Sequence, residues 1–239
     1  MSIFLGLDVG TSAVKAVLVD AAADEAVVAE AEAPLAVDRP RPGWAEQDPE
    51  DWWRAALAVL GRLRAAAPAA YAATRAIGLS GQMHALVALG ADDRPLRPAI
   101  LWNDGRAADE AVRLNATVPG LADRCGVPAT ASFTAPKLLW LAAHEPDVFR
   151  RLGRILLPKD YVRLRLTGEA ATDMCDAAGT LLLDEAARAW DAAAVAATGL
   201  DRRALPRLVE GSDEAGRLTA AVASELGLAP GTVVAGGAG

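Results

Sequence analysis

Apolar and polar positions alternate from the start of the chain. Ile3, Leu5 and Leu7 alternate with Phe4 and Gly6 as far as Asp8, and Val14 to Val19 follows as a β-branched run. The pattern predicts two short strands meeting at a tight turn, Gly10-Thr11-Ser12. After a turn over Ala21 to Asp24, the stretch Ala26 to Ala33 reads as a third strand, which completes an antiparallel meander at one edge of a sheet. Asp38-Arg39-Pro40-Arg41-Pro42-Gly43 cannot be regular structure and predicts an exposed loop. Asp48 then serves as an N-cap with Pro49 as first helical residue. Trp52, Ala55, Ala56, Val59, Leu60 and Leu63 recur at helical spacing to about Ala66.

The middle of the chain reads as short strands and helices in alternation. Ala76 to Ser80 has the length of a buried strand; Gly81-Gln82-Met83-His84 interrupts it and Ala85 to Leu89 resumes. A turn over Ala91 to Pro95 precedes a strand at Ala99 to Trp102, a helix at Arg106 to Asn115 and a loop-rich stretch from Ala116 to Thr134. Helices follow from Pro136 to about His144 and from Pro146, then a strand at Ile155 to Leu157 and a helix from Pro158 to Gly168. In the last third, Thr172 to Thr180 reads as irregular, Asp184 to Trp190 as helical, and Thr198 to Leu200 and Leu205-Pro206 as loops. Thr219 to Leu226 reads as a helix stopped by Gly227. Thr232 to Ala235 is a strand running into a second phosphate-type turn, Gly236-Gly237-Ala238-Gly239. A meander followed by alternating helices and parallel-type strands is an α/β layout.

Composition narrows the classes. The 239 residues correspond to one large domain or two small ones, and 53% hydrophobic content is enough for a sizeable core. A net charge of −7 argues against nucleic acid as the main partner, because phosphate backbones are met by clustered Lys and Arg. Cys125 and Cys175 lie far apart without histidines at metal spacing, so both are expected as free, buried thiols. That fits a reducing, cytoplasmic setting. The beginning of the chain lacks the basic start of a targeting segment. The longest uncharged run, Ala76 to Ala91, contains Ser80, Gln82 and His84 and is too short and polar to span a membrane.

Polar stations stand at the ends of the expected strands, where open α/β sheets place ligands. At the first, Gly10, Thr11 and Ser12 can turn backbone N–H groups toward an anion, Asp8 can hold Mg²⁺ through water, and Lys15 adds a positive charge. Those are the parts a nucleotide phosphate needs, although a hairpin with a polar turn would read the same way. The second, Gln82 to His84, and the third, Trp102, Asn103 and Asp104, combine amides, a carboxylate, an imidazole and an aromatic face, the chemistry that binds a polyol or sugar. Each has a plainer alternative: His84 a structural hydrogen-bonded group, Trp102 a core residue, Asn103 and Asp104 a turn and a helix cap. Asp173 and Asp176, in the fourth, suit a supporting or loop-capping role, and His144 a helix C-terminus at the surface. An anion turn with a hydroxyl-reading set points to phosphoryl transfer onto a sugar.

The segments LGLDVGTSAVK, GWAEQDPEDWW, LSGQMHALVAL, LWNDGR, FTAPKLLWL, PKDYVRLRLTGE and TDMCDAAGT occur in an order that resembles the N-terminal domain of the FGGY carbohydrate kinases over nearly the whole chain. The SGQMH form, with His84, is similar to members acting on D-xylulose; glycerol kinases carry Arg-Glu there. The resemblance implies a ribonuclease H-like, actin-like ATPase fold and transfer of the ATP γ-phosphate to D-xylulose, giving D-xylulose 5-phosphate. It implies Asp8 near the metal and the transferring phosphate, Gly10, Thr11 and Ser12 on phosphate oxygens, and Lys15 neutralising charge. Gln82, Met83 and His84 would line the sugar pocket, with Trp102 as a wall and Asn103 and Asp104 near the hydroxyls. In the family an aspartate acting as base follows the turn at Gly236 to Gly239, and an ATP-binding domain comes after it. Residues 1–239 are therefore expected to be a sugar-binding domain, inactive alone, whose partners are the ketose, ATP with that second domain, and in some members a second copy. The rival readings are a non-catalytic sugar-binding module, a sister kinase for another ketose or polyol, and a relative of the actin and Hsp70 group, which has no use for the two sugar stations.

Overall fold

A computed structural model describes residues 2–238. Three antiparallel strands, β1 (Ile3–Val9), β2 (Ala13–Asp20) and β3 (Ala26–Pro34), form the expected meander. Helix α1 (Pro49–Ala66) follows, capped by Asp48, whose carboxylate accepts from the Glu50 N–H at 3.0 Å. The chain then returns as β4 (Thr74–Gly81), parallel to β1, with Asp8 opposite Ser80. Most of the polypeptide follows before β5 (Glu214–Arg217) and, after the helix Ala220–Leu226, β6 (Val233–Ala235) complete the sheet. The strand order is β5-β6-β4-β1-β2-β3. β6 runs parallel to β4, and β5 is an antiparallel edge, so the sheet is mixed.

The alternation in β1 decides which face is covered. Ile3, Leu5, Leu7 and Val9 are buried and join Trp52, Leu60 and Leu63 of α1 and Tyr161 of helix Pro158–Thr167 in the main core. Phe4, Gly6 and Asp8 point to the other side, where Phe4 is exposed. Between β4 and β5 the chain builds a second lobe around Leu86, Ile100, Leu114, Leu138, Trp140, Leu141 and Leu182. One helix of that lobe, Thr134–His144, carries the FTAPKLLWL motif.

Several expectations are corrected. Glu185 to Arg188 form the tip of a small hairpin, with Leu183–Asp184 paired to Ala189–Trp190, where a helix was expected. The Asp191 carboxylate caps a separate helix, Ala192–Thr198, which starts immediately afterwards. Thr172 to Thr180 is ordered: Ala171–Asp173 pairs in parallel with Arg207–Val209, and Met174–Ala178 is a short helix capped by Asp173. The loop-rich stretch includes a helical turn at Leu121–Arg124. Cys175 is exposed, whereas Cys125 is buried and burial pushes its thiol up to about 11. Of the second glycine turn, Gly239 lies outside the described residues.

Candidate functional site

The turn between β1 and β2 is braced from behind. Gln47, buried under it, donates from Nε2 to the Thr11 carbonyl at 2.8 Å and the Ala36 carbonyl at 3.0 Å. Its Oε1 accepts from Trp52 Nε1 and from Gln82 Nε2, both at 2.9 Å. Thr11 Oγ1 donates to Gln82 Oε1 at 3.0 Å and accepts from Trp102 Nε1 at 3.1 Å. One polar chain therefore joins the Gly10–Ser12 turn, the Gln82 segment and the Trp102 segment, three stretches distant in sequence. Asp8 stands at its edge, with Oδ1 accepting from Ser80 Oγ at 2.9 Å.

Two cavities meet at Asp8. The smaller, about 330 Å³, is lined by Asp8, Gly10, Thr11, Gly81, Gln82, Met83 and Trp102. The larger, about 910 Å³, lies on the open sheet face and includes Asp8, Lys15, Ser80, Gly237 and Ala238. Gly237 is at φ +82°, and a Cβ there would run into the Leu79 carbonyl oxygen, so the second glycine turn lies directly against β4. Ser12 is exposed at the hairpin tip. Lys15 is exposed opposite Asp8 and pairs with Glu32 at 3.8 Å.

His84 comes one residue after Met83, half-buried, with its ring 4.5 Å from that of Phe133. Burial, and then the charge of Lys137, push its pKa down to about 4, so the imidazole is neutral near pH 7. Trp102 is 45% exposed and forms an open aromatic wall; Asn103 is exposed beside it, outside the residues lining either cavity.

Asp104 corrects the expectation of a hydroxyl-facing carboxylate. Its side chain is fully buried and takes hydrogen bonds from the Ala45 N–H at 2.6 Å, the Arg106 N–H at 2.9 Å and the Arg106 guanidinium at 2.7 and 2.9 Å. Arg106 in turn pairs with Glu46 at 2.7 Å and stacks 3.6 Å from the Trp44 ring centroid. Asp104 fixes the loop that presents Trp102.

Asp173 and Asp176 also face inward. The Lys159 ammonium contacts Asp173 at 2.5 Å, Asp160 at 3.3 Å, and Asp176. Arg163 donates to Asp160 at 2.8 Å, to the Ala171 carbonyl at 2.6 Å, and to the Gly236 carbonyl. The three carboxylates approach as closely as metal ligands would, but an ammonium already occupies their centre. This is an ion network, and it ties the second glycine turn to the core. Burial opposes the charge on Lys159, yet Asp160, Asp176 and Asp173 outweigh it and raise its pKa. Burial raises Asp176 to about 7, with Lys159 opposing and Asp160 assisting.

Sequence reading missed Gln47, Arg106, Lys137 and Lys159 as organisers. The signal was available: each is a polar residue inside one of the motifs quoted above.

Residues 3–239 match the FGGY family of carbohydrate kinases, N-terminal domain, and the chain belongs to that family. Its fold is the ribonuclease H-like, actin-like ATPase fold. It is 47% identical over 237 residues to a xylulose kinase of Escherichia coli (strain K12), an alignment covering 98% of this chain and 48% of that protein. The crystal structure of a xyloylose kinase from Brucella ovis superposes with a TM-score of 0.96 at 51% identity, covering 99% of this chain and 48% of that one. For xylulose kinase from Rhodospirillum rubrum the TM-score is 0.94 at 34% identity, with the same coverage of both chains. The chain thus spans about half the length of the relatives it matches. No helix among the described residues is long and apolar enough to cross a membrane.

Proposed function

We propose that residues 1–239 form the sugar-binding domain of an ATP-dependent kinase that phosphorylates D-xylulose to D-xylulose 5-phosphate in the cytoplasm. The observation that carries this reading is the junction at Asp8, where the anion turn, the Gln82-Met83 segment and the Trp102 wall border one small cavity. D-Xylulose is favoured among ketoses because relatives named xylulose kinase match along almost the whole chain.

In this reading Gln82, Met83 and His84 bind the ketose, and Trp102 covers its carbon face. The neutral His84 ring offers one donor and one acceptor, which suits a hydroxyl. Gly10, Thr11 and Ser12 present N–H groups to phosphate oxygens, and Lys15 adds positive potential across the strand. Asp8 fits a Mg²⁺ ion held through water: a single carboxylate at a strand end, hydrogen-bonded on one oxygen by Ser80. Bound there, the ion would neutralise phosphate charge. ATP binding and the general base belong, on this proposal, to a second domain.

Titration calorimetry of D-xylulose into the chain, checked as folded by circular dichroism, should give saturable binding, with negligible ATP turnover. A folded chain that gives no saturable heat would overturn the proposal. Rapid turnover would show that a residue within 1–239 serves as base.

A further inference from the structure

His84 has an unusual backbone. Its φ is +66°, in the left-handed region that favours glycine, yet it carries a side chain. Such a conformation persists where the surroundings over-determine it. Here two donors do so. Lys137 Nζ donates to the His84 carbonyl at 2.8 Å, and Thr134 Oγ1 donates to the same oxygen at 3.2 Å. Lys137 also donates to the Ser132 carbonyl, one residue before the Phe133 ring on which His84 rests. Gly179 also lies against the imidazole: a Cβ there would sit 2.5 Å from His84 Cδ2 and 2.9 Å from Nε2.

Lys137 is fully buried and forms no ion pair with a carboxylate among the described residues, so folding places an ammonium on two carbonyl oxygens. An apolar residue would suit that helix position better if packing were its only task. Neither His84 ring nitrogen has a hydrogen-bond partner among the described residues, and neither is sealed from solvent. The ring is thus held through its backbone and packed by Phe133 and Gly179, while its nitrogens carry no hydrogen bond from the described residues.

We propose that Lys137, assisted by Thr134, is a positioning residue for sugar recognition: by fixing the His84 carbonyl and the Phe133 platform, it sets the direction in which the imidazole nitrogens meet a ketose hydroxyl. The FTAPKLLWL motif then has a role beyond helix packing. This inference rests on the functional reading above.

The test measures D-xylulose binding by calorimetry for the chain and for Lys137→Met and Thr134→Val, at a temperature where thermal melts show each folded. In parallel, proton NMR follows the His84 ring through a pH titration; the only other histidine is His144. Lys137→Met should weaken binding by about tenfold and Thr134→Val by about threefold, the scale of lost hydrogen bonds. Lys137→Met should also shift the His84 ring resonances and raise its pKa, because a neighbouring charge is gone. A Lys137→Met chain that melts lower but keeps both its affinity and the wild-type His84 titration would overturn the inference. Should the unsubstituted chain fail to bind D-xylulose, the functional reading falls and the inference with it; sugar binding by the unsubstituted chain that Lys137→Met leaves unchanged would overturn the inference alone.

Discussion

Among single residues, the buried ions are unevenly balanced. Three carboxylates, Asp160, Asp173 and Asp176, face two cations, Lys159 and Arg163, with all five side chains at most 1% exposed. Burial is the main reason that Asp176 is raised to about 7, with Asp160 and Asp173 adding to it against Lys159; one proton there brings the cluster to neutrality. The two ends of the Lys159–Asp176 pair should therefore respond differently to removal. Lys159→Met leaves buried carboxylates uncompensated and should destabilise the fold by about 3–5 kcal/mol. Asp176→Asn removes the charge that burial already disfavours and should cost less than about 1 kcal/mol at pH 8. Urea unfolding of both variants at that pH checks the asymmetry; equal losses would contradict it. Arg163 extends the effect to the Gly236 carbonyl, so Lys159→Met should also loosen the second glycine turn, visible as faster amide exchange at Gly237.

For elements, the terms that decided correctly in the sequence were local ones. Alternation located β1, helical spacing located α1, and Asp48-Pro49 marked its start, since each signal lies within one element. The segment from Asp184 to Trp190 misled because its good helix formers, Glu185 to Arg188, occupy only the tip of a hairpin. What fixes that hairpin is distant: Trp190 Nε1 donates to the Pro206 carbonyl at 3.1 Å, and Asp191 begins a new helix. The site divides the same way. Residue types at strand ends were legible, but side-chain direction was not, so Asp104, adjacent to the exposed Asn103, could not be known to face Ala45 and Arg106. Asp191 joins two elements, the helix it caps and the turn that carries Arg124. Its carboxylate accepts from the Ala194 N–H at 2.6 Å and pairs with Arg124. Burial opposes its charge, but the Arg124 and Ala194 hydrogen bonds prevail and hold its pKa below the usual range. A lowered carboxylate pKa stabilises above the unfolded value and is lost as pH falls through the folded one. Asp191→Ala should cost about 1–2 kcal/mol at pH 7 and progressively less in acid below about pH 4. Asp191→Asn, which keeps a capping oxygen, should cost less. Thermal melts across that pH range distinguish a cap from a passive surface pair.

Taken as a whole, the molecule sums these buried groups into a dependence of stability on pH, and their windows can be ordered. Burial raises Asp176 from 3.8 to about 7, so the folded chain binds more protons than the unfolded one and stability falls as pH rises through that interval. Burial, then Lys137, lower His84 from 6.5 to about 4, which has the opposite sign over most of the same range. The two largely cancel below neutrality. Above it Lys137 has no such rival at first: burial lowers it from 10.5 to about 7, with Asp104 opposing and Arg106 assisting. Between those values the unfolded chain holds the extra proton, so stability rises with pH, by up to about 1.4 kcal/mol per unit for one fully displaced proton. Cys125, raised by burial from 9.0 to about 11, opposes that slope once pH passes about 9. Urea midpoints should accordingly climb between pH 7 and 9 and level off beyond. Lys137→Met should flatten the climb, because the displaced proton is gone, while Cys125→Ala should extend it toward pH 10. A profile already flat in the unsubstituted chain, or one that keeps its slope in Lys137→Met, would mean that the ammonium beneath His84 is not held at folding's expense.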